Sequence, residues 1–249
     1  MEARAFKGIF PGSFTMGNLV CGFIAIVSAA GGELVTACWL IVLAGFFDAL
    51  DGKVARFSGA ASPFGIQLDS LADVVSFGTA PAFIIYLVIP ESLGKWSWII
   101  CVVYLIAASY RLARYNLHAD NEEKKGFWGL PVPGAGITLA AYIIFCNEIW
   151  GEVHYIQYLV AMVLLFALLM VSQVEYDSLP DHLNTPQNKI KIAVFTVCAI
   201  AALIKPKLLL FPIFAAYIML GLVREGYRYF YLGFDFVRRG GNRKDEEKE

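Results

Sequence analysis

Apolar and polar positions divide this chain into long blocks rather than short alternating stretches. Phe14 to Ala30, Glu33 to Arg56, Gly65 to Ile89, Trp98 to Tyr115, Gly134 to Trp150 and Tyr155 to Val174 are six runs dominated by Leu, Ile, Val, Ala and Phe. Runs of about 20 such residues predict helices that cross a bilayer. Lys189 to Lys205 and Lys207 to Arg224 form two shorter runs around a Lys-Pro-Lys turn. They are marginal in length and predict a thin or partly inserted hairpin. The expectation is an all-α polytopic membrane protein with about eight transmembrane helices. It divides into a membrane domain over 1–188, an additional hairpin over 189–224 and a cytoplasmic tail over 225–249.

Composition supports this class. Hydrophobic residues make up 58% of the chain and charged residues 16%. A soluble domain has about 45–50% apolar residues even with Gly counted in. The formal net charge is −1, so no bulk attraction to nucleic acid is implied. The five cysteines all lie inside apolar runs and read as small hydrophobes. Basic residues are unevenly spread. With eight spans, 17 of the 20 Lys and Arg fall on the side that carries both termini, and only Lys95, Lys205 and Lys207 lie opposite. The positive-inside rule makes that side cytoplasmic, in a cell membrane.

The exception to the apolar pattern is residues 48 to 73. Four aspartates interrupt it: Asp48 and Asp51 at i, i+3, then Asp69 and Asp73 at i, i+4. Each pair shares one helix face. Carboxylates near membrane depth are costly and usually functional. Two divalent ions would cancel four of them, and hard oxygen ligands suit Mg or Mn, with Ca as a third option, better than Zn. Gly52, Ala55 and Gly65 are small residues on the acidic face that let a bulky ligand approach. Arg56 adds a positive charge suited to phosphate. Metal, arginine and a small-residue cleft together suggest a substrate carrying pyrophosphate. Aspartates also line ion pathways, so a divalent-cation transporter is the reading from a different class. It leaves the Gly52, Ala55, Arg56 and Gly65 spacing unexplained.

The pattern D-x2-D-G-x2-A-R-x8-G-x3-D-x3-D resembles the signature of the CDP-alcohol phosphotransferases, with every fixed position matched. The resemblance implies a six-helix core, to which the pair after residue 188 is an addition, and a homodimer. It also implies that a CDP-linked donor gives its phosphoryl group to an alcohol and releases CMP, with divalent metal on Asp48, Asp51 and Asp69. Asp73 is the position the family assigns as general base, and it also touches a metal.

Residues around this motif resemble the members of the family that use serine. Pro11 to Gly22 matches their pattern at Thr15, Asn18, Cys21 and Gly22, with Gly12 where the pattern has Asn. Thr15 and Asn18 are polar groups placed to reach the donor nucleotide or to bond between helices. Ser62 is placed either to meet a phosphate or to cap a helix before Pro63. The Val74 to Ala82 stretch, the Arg111-Leu-Ala-Arg114-Tyr-Asn116 end of the fourth run and Gly129-Leu-Pro-Val-Pro133 complete the likeness. The implied substrates are CDP-diacylglycerol, a membrane lipid, and L-serine. Another acceptor, such as glycerol 3-phosphate or an inositol phosphate, is the alternative. A serine carboxylate needs a cation, and Arg111 and Arg114 share a face at i, i+3. Snorkelling of both to lipid phosphates is the other reading.

Overall fold

A computed structural model describes the backbone of residues 2–58, 62–90, 93–119, 129–172, 174, 197–198 and 200–246. It describes side chains within 12–54, 62–90, 93–117, 129–172, 174, 197–198 and 200–228. The described residues form helices and the turns that join them, with no strand among them. Helix α1 runs Glu2–Ala30, α2 Leu34–Ser58, α3 Pro63–Asp73, α4 Ala80–Val88, α5 Trp96–Ala119, α6 Val132–Trp150, α7 Ile156–Val171 and α8 Pro206–Glu246. Among the described residues, six helical stretches are long and apolar enough to cross a membrane, and α7 is a shorter apolar helix. The protein is a polytopic all-α membrane protein. The first six expected spans match the apolar stretch Gly12–Ala30 of α1, then α2, α3–α4, α5, α6 and α7, to within a few residues, while α1 itself starts twelve residues before the expected span. Most of the seventh, 189–205, lies outside the described residues.

The third span is one rod with a wide turn in it. Between α3 and α4, Val74–Thr79 form a π-helix that starts directly after Asp73. The apolar run gave no sign of it. Such turns hold one extra residue and recur at functional sites. The buried Tyr104 hydroxyl on α5 donates to the Phe77 carbonyl at 2.9 Å, and Thr79 Oγ1 donates to the Val74 carbonyl at 3.0 Å.

Helices approach closely where side chains are small, as in membrane bundles generally. Gly22 of α1 lies against Ser76, with no room for a Cβ. A Cβ on Gly136 of α6 would stand 3.0 Å from the Phe77 backbone. The π-turn is thus gripped by α1, α5 and α6 at once. The turn at Gly31 and Gly32 sends α2 back antiparallel to α1, with Gly32 at φ +87.

Helix α8 packs on α6 through Phe211, Phe214, Ile218 and Leu222, a helical stripe. Phe211 meets Tyr142 ring to ring at 5.1 Å. Lys207 Nζ reaches Glu148 at 2.9 Å. The start of α8 therefore sits at the C-terminal end of α6. The last turn of α7 sits at the opposite end, where Leu130 N donates to the Leu169 carbonyl at 3.1 Å. The chain changes ends of the bundle between Ser172 and Pro206. Helix α8 then runs unbroken past residue 225, where the polar tail was expected to begin.

Gly136→Val should lower stability by about 1–3 kcal/mol, the usual cost of overpacking. Thermal unfolding in detergent tests this. An unchanged midpoint would mean that α6 can move off the π-turn freely.

Candidate active site

The site forms between the C-terminal halves of α2 and α3, against the middle of α1. The signature helices are held by a sharp start to α3. Ser62 Oγ accepts from Gly65 N at 3.0 Å, and Pro63 stands in the first turn. Ser62 is therefore a helix cap, the second of its two expected roles.

Asp48, Asp69 and Asp73 converge: one carboxylate oxygen from each lies within 4.8 Å of the others. Asp51 is buried beside them and accepts a hydrogen bond from Thr15 Oγ1. Asp73 Oδ1 accepts from Asn18 Nδ2 at 3.0 Å. Asp69 Oδ1 is buried without a hydrogen-bond partner. Thr15 and Asn18, expected either at the nucleotide or in bonds between helices, are bonded across helices to the carboxylates themselves. Gly52 is exposed beside Asp51. The side chains of Ala55 and Arg56 lie outside the described residues.

The charge balance is lopsided. The one cation described against this cluster is Arg111, which interacts electrostatically with Asp73. Two like charges about 5 Å apart repel by roughly 3 kcal/mol at an effective dielectric of about 20. Three convergent carboxylates, one with an orphaned buried oxygen, fit a divalent cation with hard oxygen ligands. Asp48, Asp69 and Asp73 are the residues that would hold it, with Asp51 adjoining.

The two arginines expected to act together part company. Arg111 is 6% exposed and its Nε has no hydrogen-bond partner. Its guanidinium stands 6.0 Å from the Tyr115 ring. Arg114 faces the end of α7 instead. Its guanidinium donates to the carbonyls of Met170 at 3.1 Å, Val171 at 2.8 Å and Ser172 at 3.1 Å. Those carbonyls have no partner within their own helix, so the arginine acts as a C-terminal cap. Gly129 completes the lock. It has φ +81, and its N–H donates to the Val174 carbonyl at 2.9 Å. A side chain there would strike the Met170 carbonyl and Arg114. The Gly129-Leu-Pro motif and Arg114 thus build one structural joint.

Two partners escaped the sequence reading. Asn116, at the end of α5, donates to Ser70 Oγ at 2.9 Å and to Gln67 at 3.3 Å, tying α5 to α3. Tyr104 sits in an apolar run and gave no polar signal. Asn116 had one, as an amide on the turn after Arg111.

Residues 9–171 match the family model described as CDP-alcohol phosphatidyltransferase. A Helicobacter pylori protein named CDP-diacylglycerol–serine O-phosphatidyltransferase is 29% identical over 221 residues, covering 87% of this chain and 90% of the relative. A Methanocaldococcus jannaschii protein of the same name is 35% identical over 192 residues, covering 76% and 81%. An archaetidylserine synthase from Methanothermobacter thermautotrophicus is 33% identical over 171 residues, covering 67% and 68%.

Arg114→Gln should lower stability by about 1.5–3 kcal/mol, the range for a hydrogen-bonded charge. Thermal unfolding without substrate reads this directly. A wild-type midpoint would remove the cap from the account.

Proposed function

The chain belongs to the CDP-alcohol phosphatidyltransferase family, and on that premise we propose that it transfers the phosphatidyl group of CDP-diacylglycerol to L-serine. The products are phosphatidylserine and CMP. The observation that carries the reaction is the convergence of Asp48, Asp69 and Asp73 beside Arg111. The serine assignment draws on the names of the relatives.

Asp73 takes the proton of the serine hydroxyl. An alcohol is a poor nucleophile at neutral pH, and a positioned carboxylate answers that. The freed oxygen attacks the phosphorus that bears the diacylglycerol. A phosphorus–oxygen bond forms to serine, and the bond to the CMP oxygen breaks. Divalent metal, Mg or Mn in one or two ions, would be held by Asp48, Asp51, Asp69 and Asp73 and would neutralise the pyrophosphate and the leaving group. Gly52, Ala55, Arg56 and Gly65 are assigned to the donor. Ser62 has its hydroxyl in the cap and stands at the edge of that cleft.

Arg111 is assigned to the serine carboxylate. It is buried, its Nε is unpaired, and it lies within electrostatic reach of the base. Arg114 is committed to α7 and is given no substrate. The basic side of the chain, which carries the site, is assigned to the cytoplasm. The exposed apolar outer faces, Phe23 and Val27 of α1 among them, meet lipid or a second copy of the chain.

The test is CMP release by purified protein with CDP-diacylglycerol and Mg or Mn, one acceptor at a time. Release that requires both metal and L-serine is expected. Release driven only by glycerol 3-phosphate or an inositol phosphate would discard serine and keep the aspartate chemistry. No release from folded protein would return the cluster to an ion pathway.

Two variants sharpen the assignment. Asp73→Asn should abolish turnover while donor binding persists, and wild-type turnover would take the base role from Asp73. Arg111→Lys should raise the KM for serine by about 10-fold or more, since a charged hydrogen bond is worth about 1.5–3 kcal/mol. An unchanged serine KM would end the carboxylate assignment.

A further inference from the structure

We propose that Asn18 is a positioning residue for Asp73: its side-chain amide fixes one carboxylate oxygen so that the other faces the acceptor hydroxyl. The inference rests on the reading of Asp73 as the base. Of the two roles expected of Asn18, nucleotide contact and bonding between helices, it develops the second.

The geometry is closed on three sides. Asn18 has no exposed surface, and Asp73 is 5% exposed. Asn18 Nδ2 donates to Asp73 Oδ1 at 3.0 Å. A carboxylate only accepts, so the NH2 end of the amide is the end that faces it. The backbone of Asn18 is itself anchored to the helix that carries Asp73. Ser76, three residues after Asp73, donates its hydroxyl to the Asn18 carbonyl at 2.8 Å. One turn along α1, Gly22 lies flush against Ser76. Residues 18 and 22 of α1 and residues 73 and 76 of the third span therefore move as one body.

The unpaired atom gives the direction of the argument. Asn18 Oδ1 is buried and lacks a hydrogen-bond partner. Leaving a buried acceptor unsatisfied is costly, and native structures that do so call for a reason. A leucine would fill the same space without that cost. The amide earns its place through the one bond it makes, which is to Asp73. With Oδ1 engaged, rotation of the carboxylate is blocked and Oδ2 remains to receive the proton. Misplacing a general base costs rate because proton transfer needs hydrogen-bond distance in the reacting complex.

The experiment uses full-length protein in detergent and begins with wild-type CMP release. Absence of that release with every acceptor overturns the proposed function, and the Asn18 assignment falls with it. Where wild type is active, Asn18→Ala and the near-isosteric Asn18→Leu are compared with it. Both are assayed for kcat, for KM of donor and of serine, for Mn binding by electron paramagnetic resonance, and for thermal midpoint. The expected result is a kcat lower by about 30-fold or more, within the range set by general-base catalysis. Both KM values and the Mn affinity should stay within about threefold. A wild-type kcat with a lowered midpoint would make Asn18 helix-packing glue and overturn the proposal. A loss confined to the donor KM would return Asn18 to the nucleotide. Lost Mn binding would make it part of the metal site instead. Leu remains measurable if the Ala cavity unfolds the protein, because it restores most of the side-chain volume.

Discussion

Carboxylates at the end of apolar helices must be satisfied, and that constraint organises the bundle. Each signature aspartate meets it differently. Asp51 is bonded to Thr15 and Asp73 to Asn18, two residues spaced i, i+3 on α1. Asp73 also feels Arg111, while Asp69 keeps a buried oxygen unpaired. Helix α1 supplies the neutral donors and α5 supplies the charge. Neutral donors hold the carboxylates in place without cancelling their charge. That leaves the site attractive to a divalent cation, which four aspartate–arginine pairs would not do.

The π-turn is the second consequence. In a regular helix every carbonyl of the third span would be spoken for along its own axis. The wide turn after Asp73 is met by Tyr104 from α5, which bonds to the Phe77 carbonyl. Gly22 and Gly136 let α1 and α6 close on the same segment. The helix that carries Asp69 and Asp73 is therefore held immediately beyond its last aspartate by three neighbours. Holding functional side chains on rigid, packed elements is what keeps a site within useful geometry.

Much of this was legible in the chain. Apolar run length located the spans, because a bilayer imposes one length on every crossing helix. The spacing of the four aspartates located the site, because charge is expensive there. The partners were harder to read. Thr15 and Asn18 stood out as polar residues in an apolar run, yet nothing in α1 says that they face Asp51 and Asp73 across 36 and 55 residues of chain. Tyr104 is invisible because an aromatic residue in a span reads as lipid-facing or core. The π-turn comes from tertiary contacts at Ser76, Phe77 and Gly78, which no helical period records.

The arginines show how far a shared face can mislead. Residues at i, i+3 are neighbours on a helix surface, and Arg111 and Arg114 are neighbours in that sense. Their guanidinium groups nonetheless reach different structures. Arg114 closes the end of α7 beside Gly129. Arg111 is buried beside the Tyr115 ring and lies within electrostatic reach of Asp73 and of Tyr217 on α8. Tyr217 lies outside the stretch matched by the family model, which ends at residue 171. Helix α8 thus bears on Arg111, the one buried cation among the described residues that faces the acidic cluster. A change on α8 would act on the arginine side of the cleft and leave the convergence of Asp48, Asp69 and Asp73 in place. On the proposed assignment of Arg111 to the serine carboxylate, acceptor choice would rest on α5 and the aspartate chemistry on α2 and α3.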